Sequence, residues 1–155
     1  MKTNEILPIE NIRIGLQANN KKDLLKKMCE LAAKSGKIEN LEEVKKKVIE
    51  RENLMTTGIG QGVALPHAKT NAVKGIVGAF AKLKENVDFN SIDSKPVKYV
   101  YLLVGRENNT GMHLRVLSRA SRILHNEKNI SELDKCRTER SEEHTSELQS
   151  HSDLV

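Results

Sequence analysis

Two apolar, β-prone runs, IVGAFAKL at 76–83 and VKYVYLLV at 97–104, constrain this chain more than any other feature. They are separated by NVDFNSIDSKP, which has the composition of a turn. Both runs read as strands buried on one or both faces, and helices must cover them. Aromatic residues make up only 3% of the chain and tryptophan is absent, so the covering core must be aliphatic.

The remaining patterns supply those helices. In NIRIGLQA the alternation of Ile12, Ile14 and Leu16 predicts an edge strand. Asn20, followed by Asp23, caps a helix whose Leu24, Leu25, Met28, Leu31 and Ala32 share one face, and Gly36 stops it. Asn40 with Glu43 opens a second helix, with Leu41, Val44 and Val48 inward and an end near Arg51 and Glu52. After the loop ENNTG a third helix is expected from about Met112, with Leu114, Leu117, Ala120, Ile123 and Leu124 inward. A shorter helix follows near 127–137. The expected fold class is α/β: a small mixed β-sheet flanked by helices on both sides, in the single compact domain that 155 residues suggest.

Charge excludes some functions. The net charge is +5, but the lysines sit among acids, as in KKDLLKKMCE and LEEVKKKVIER, with no aromatic stacking pattern beside them. These runs read as solvated helix faces, so no nucleic-acid partner is expected. Cys29 and Cys136 are far apart and in no metal or redox spacing, which fits free thiols in a reducing cytoplasm. MKTNEILPIE lacks the apolar core of a signal peptide, and no apolar run approaches membrane length. A cytoplasmic protein without direct membrane insertion is expected.

Composition changes at Arg140. The segment RSEEHTSELQS, residues 140–150, is the in-frame translation of a common sequencing-library adapter, and apolar residues with helical spacing disappear beyond it. Residues 140–155 are therefore expected to be an artefact tail, which removes His144 and His151 from the functional candidates.

The densest motif is TTGIGQGVALPHAK, from Thr56 to Lys69. Gly58, Gly60 and Gly62 permit backbone conformations that other residues resist and let a partner approach closely. VAL anchors the segment in the sheet, and Pro66 fixes the backbone before His67, which is expected at a strand end beside a flexible loop. GIGQG satisfies neither the P-loop nor the dinucleotide fingerprint, and no His/Cys cluster surrounds His67 to bind a metal. On these residues alone, His67 is either a structural histidine or a displayed functional group.

The longer run RENLMTTGIGQGVALPHAK, Arg51 to Lys69, resembles the active-site signature of enzyme IIA domains of the fructose/mannitol-type phosphotransferase system, a bacterial family with a nitrogen-regulatory paralogue. Similarity extends from about Glu5 to Thr138, so the resemblance implies a phosphocarrier domain over residues 1–139 whose last native helix is lost to the tail. It further implies a sugar-transport phosphotransferase component without cofactor or metal. His67 is then the phosphoacceptor, charged by the phosphohistidine of the carrier protein HPr and discharged onto a cysteine of enzyme IIB, which serves a membrane enzyme IIC. Alternatively the phosphorylated state regulates a transporter or kinase. His113 matches the second active-site histidine and Arg51 the arginine on the phosphate, and Thr56 and Thr57 are candidate hydroxyl donors beside it.

The chemistry suits these residue types. A neutral imidazole is a good nucleophile near neutral pH and a good leaving group, and an arginine fork matches phosphoryl oxygens. His113, expected in the first turn of its helix, lies where backbone N–H groups favour an anion. Without the resemblance, Arg51 is a helix-end cation, His113 a helix cap, and the threonines turn residues. His125 is expected in solvent, and Lys69 and Lys74 near His67 are expected to steer a docking partner.

Overall fold

The computed structural model describes residues 6–135. The tail at 140–155, Cys136 and the end of the helix expected at 127–137 lie outside them. Six strands form one mixed sheet: β1 (Ile12–Leu16), β2 (Gly58–Gly60), β3 (Val63–Ala64), β4 (His67–Lys69), β5 (Ile76–Val87) and β6 (Val97–Gly105). Four α-helices accompany it among the described residues: α1 (Lys21–Ala32), α2 (Leu41–Leu54), α3 (Thr110–Leu124) and α4 (Glu127–Asp134). None is long and apolar enough to cross a membrane.

The two apolar runs are the centre of the sheet. β5 and β6 pair antiparallel, and β1 lies parallel to β5 at the edge, as its alternation predicts. Alternation along β5 and β6 then sorts the core into two layers. Val77, Ala79, Ala81, Val100, Leu102 and Val104 face α1 and α2, and Phe80, Tyr101 and Leu103 face α3 and α4. β5 outruns its apolar stretch and reaches Val87, which closes on Val97. Lys84, Glu85 and Asn86 are exposed there, so a hydrophobic pattern ends at Leu83 although the backbone stays extended.

Helix starts follow their caps. Asn20 Oδ1 accepts from the Asp23 amide at 2.8 Å, and Asn40 Oδ1 accepts from the Glu43 amide at 3.1 Å. α1 ends through a short 3₁₀ turn at Gly36, whose φ of 78° suits glycine. α2 continues past its expected end to Leu54 because Glu52 is buried and fully engaged. Its carboxylate accepts from the Thr57 amide at 2.8 Å and the Thr57 hydroxyl at 2.6 Å, and pairs with Lys21 Nζ at 2.9 Å. α3 turns Ala120, Ile123 and Leu124 inward as expected and packs Leu117 partly buried, but in its first turns Leu114 is 61% exposed while His113 and Val116 point inward. A hydrophobic pattern puts leucine inside and histidine outside, and here the histidine takes the inner position.

The glycine motif is a β-hairpin. Gly60 pairs with Val63, and the loop residues Gln61 and Gly62 have φ of 57° and 79°. Two consecutive positive φ values are what a two-residue type I′ turn requires. Asp93 Oδ2 accepts from the Gln61 amide at 3.0 Å and holds the tip. The expected backbone freedom is used at Gly60 and Gly62, with φ of 95° and 79°, whereas Gly58 serves packing within the chain. Gly58 is packed on Ser91 of this same chain, where an added Cβ meets the Ser91 Cα at 2.9 Å. Gly58→Ala should destabilise the fold by about 1–3 kcal/mol through overpacking, read as a lower denaturant midpoint at unchanged slope.

Candidate functional site

β3 and β4 both run parallel to β6 along the same side of it, end to end, with Leu65 and Pro66 between them. The Leu65 amide donates sideways to Thr57 O at 2.9 Å, and Pro66 O accepts from the Leu103 amide at 3.0 Å. His67 thus stands at a strand end, as expected, as the first residue of β4. Ala68 turns into the core beneath α1 and α2, so His67 and Lys69 share the opposite face of β4.

His67 is half-buried, and its Nδ1 lies 2.9 Å from the Leu65 carbonyl oxygen. A carbonyl can only accept, so Nδ1 carries the proton and Nε2 keeps its lone pair. Burial pulls the imidazole below its ordinary pKa, and the Leu65 bond opposes this. Arg51 and Lys69 push it down further against the pull of Glu52. The ring is neutral near pH 7.

His113 is the fourth residue of α3, and its amide is already spent on Asn109 O at 2.9 Å. It neither caps the helix nor offers its own N–H to an anion. Its side chain is 1% exposed, and neither ring nitrogen has a hydrogen-bond partner among the described residues. Gly105 makes the room for it, since a Cβ there stands 3.2 Å from His113 Nδ1. The two imidazoles meet edge to face with centroids 5.4 Å apart. Burial first, then the neighbouring His67 and Lys69, take the His113 pKa down to about 4.

Both rings line a cavity of about 520 Å³ between α2, β4 and α3. Arg51 enters it from the last turn of α2, with Nη1 donating to Met55 O at 3.3 Å. Lys69 enters from β4, its Nζ 3.2 Å from Thr110 Oγ1 at the start of α3. Leu54 and Leu114, 82% and 61% exposed, form an apolar part of the wall. The structure thus brings together His67, His113 and Arg51 from three separate elements.

Other expectations need correction. Thr56 and Thr57 do not line the cavity: the Thr56 hydroxyl donates to Phe89 O at 3.1 Å, and the Thr57 hydroxyl to Glu52. Both build the turn after α2. Lys74 is exposed away from the cavity. His125 is half-buried instead of solvated, with Nε2 3.4 Å from Gly60 O in the hairpin. Glu52 escaped the sequence reading as the anchor beside Arg51, and so did the apolar wall. Spacing hinted at neither, because Glu52 finds Thr57 only once the turn has formed. Among the described residues no group of three His, Cys, Asp or Glu side chains is placed to hold a metal ion.

A neutral, oriented imidazole beside two cations and a second imidazole can accept a tetrahedral anion on Nε2 and hold it there. Comparisons with known proteins give the family of the chain. Residues 5–141 match the family described as phosphoenolpyruvate-dependent sugar phosphotransferase system, EIIA 2. The chain is 38% identical over 126 residues to a nitrogen regulatory protein of Bradyrhizobium diazoefficiens, covering 80% of each. It is 34% identical over 124 residues to a fructose-specific EIIABC component of Bacillus subtilis, where 80% of this chain spans only 20% of the relative's length. The crystal structure of the nitrogen regulatory protein IIA-Ntr from Neisseria meningitidis superposes with a TM-score of 0.83 at 31% identity, covering 96% of this chain and 97% of that one. The chain belongs to the EIIA 2 family of the phosphoenolpyruvate-dependent sugar phosphotransferase system.

Proposed function

We propose that this chain is a phosphoryl carrier in which His67 Nε2 takes the phosphoryl group from the phosphohistidine of HPr and passes it to a cysteine of enzyme IIB. The observation that carries this reading is the bond from His67 Nδ1 to the Leu65 carbonyl, which leaves Nε2 as the nucleophile beside Arg51 and His113. In the transfer the donor's P–N bond breaks as a new P–N bond forms at Nε2. A donor ring protonated on its second nitrogen leaves as neutral imidazole, and the His67 proton stays on Nδ1 throughout, donated to Leu65 O. Arg51 offers its guanidinium donors to the phosphoryl oxygens. His113, neutral and unpartnered, supplies one ring N–H to the same anion.

The role is assigned to residues 1–139, working in the cytoplasm, with 140–155 as an adapter-derived tail. Onward transfer through enzymes IIB and IIC for sugar uptake follows the fructose-specific relative. A second reading is a regulatory module whose phosphorylation state governs a transporter or kinase. Its support is the nitrogen regulatory relative, which this chain matches over four fifths of both lengths.

Incubation with phosphorylated HPr should place an acid-labile, base-stable label on the wild-type chain and none on His67→Ala. A label retained by His67→Ala would sink the assignment. His113→Ala should still be labelled on His67, about 100-fold more slowly, the scale of one lost donor at a reacting anion.

The buried neutral ring also sets a pH dependence. His113 has a folded pKa of about 4, against about 6.5 when unfolded. Its share of stability is therefore complete above pH 6.5 and is lost as pH falls toward 4. The share is on the order of 3 kcal/mol. His67, also depressed, acts in the same direction. Denaturant unfolding at pH 7 and pH 4.5 should show this loss in wild type and a smaller one in His113→Gln. Equal losses in the two would contradict it.

A further inference from the structure

The structure points to a role for Lys69 beyond steering a partner. It stands two residues after His67 on the same face of β4, which sets the two Cα atoms about 7 Å apart along the strand. A lysine stem spans that distance. Its ammonium lines the cavity shared by both imidazoles and Arg51, but among the described residues its one side-chain hydrogen bond is to the Thr110 hydroxyl at 3.2 Å. That contact is between exposed, neutral-to-charged partners and is worth little in water, so it is easily exchanged for a dianion. The buried His113 ring, with both nitrogens unpartnered, marks the same space as one that an anion enters. The charged and titratable side chains facing it are Lys47, Glu50 and Arg51 from α2, Lys69 and His67 from β4, and His113 from α3.

We propose that Lys69 is the exchangeable cation of this site: it rests on Thr110 while His67 is bare and turns to the phosphoryl oxygens once Nε2 carries the group. This rests on the phosphocarrier reading above. Arg51 and Lys69 then differ in kind. Arg51 is held at a helix end by Met55 O, a fixed fork, whereas Lys69 is a point charge on a flexible stem that moves with the load. No bond is made or broken at Lys69, and its three protons stay in place. Its effect is to favour the dianionic phosphoryl form, making the loaded carrier easier to reach and less eager to discharge.

The test separates this from partner docking by using a small donor. Phosphoramidate transfers its phosphoryl group as the P–N bond to ammonia breaks, the P–Nε2 bond forms, and ammonia leaves. The full chain, Lys69→Met, Lys69→Arg and His67→Ala are treated with phosphoramidate, and the phosphoryl group is titrated by 31P NMR. In Lys69→Met its proton affinity should rise about threefold over wild type, the scale of an exposed ion pair. Lys69→Arg should restore the wild-type value, and 1 M salt should close the gap. A wild-type chain labelled on His67 whose titration matches Lys69→Met overturns the role of Lys69 alone. A wild-type chain that takes no label, or a His67→Ala chain that takes as much, overturns the phosphocarrier reading and this role with it.

Discussion

The hydrogen bond between His67 Nδ1 and the Leu65 carbonyl is the interaction on which the site depends, and a break in a strand makes it available. In a continuous ladder a backbone carbonyl is spent on the neighbouring strand. Here β3 stops at Ala64 and β4 starts at His67, with Pro66 contributing no N–H between them. The Leu65 carbonyl lies in that gap and accepts from a side chain two residues on. One short interruption in the sheet therefore chooses the tautomer of the ring that follows it.

The remaining parts hold groups from distant stretches against that ring. Arg51 stands at the end of α2, where fraying is the default. Its neighbour Glu52 prevents this by binding Thr57 and Lys21, which fastens the helix end to the chain entering β2. The hairpin of Gly60, Gln61 and Gly62 then returns the chain so that β3 and β4 reach β6. On the other side, Gly105 at the end of β6 leaves the space that His113 fills. The glycines serve the architecture, and the charged anchor serves the arginine.

Much of this was legible in the sequence, for identifiable reasons. The β5 and β6 runs, the Asn20 and Asn40 caps and the α1 face are local signals, and each sits where its local physics puts it. His67, Arg51 and His113 came from a motif resemblance, and the fold gathers all three around one cavity. What the sequence concealed was relational. The first turns of α3 depart from the pattern because a buried histidine occupies the place that hydrophobicity assigns to leucine. The threonines look like phosphate donors until Glu52 and Phe89 take their hydroxyls, and those contacts span the turn and the sheet. Three strands of two or three residues carry no periodicity at all, so β2, β3 and β4 exist only through their partners.

The buried imidazole of His113, without a hydrogen-bond partner among the described residues, has a further consequence for how this chain can change. A buried polar ring without hydrogen bonds lowers stability relative to an apolar side chain of similar volume. Substituting leucine or methionine there relieves that cost while removing the donor that α3 brings to the cavity. Selection for robustness and selection for the proposed phosphoryl chemistry therefore pull position 113 in opposite directions. If the proposed phosphocarrier role holds, a lineage released from it gains stability by giving up the histidine at position 113.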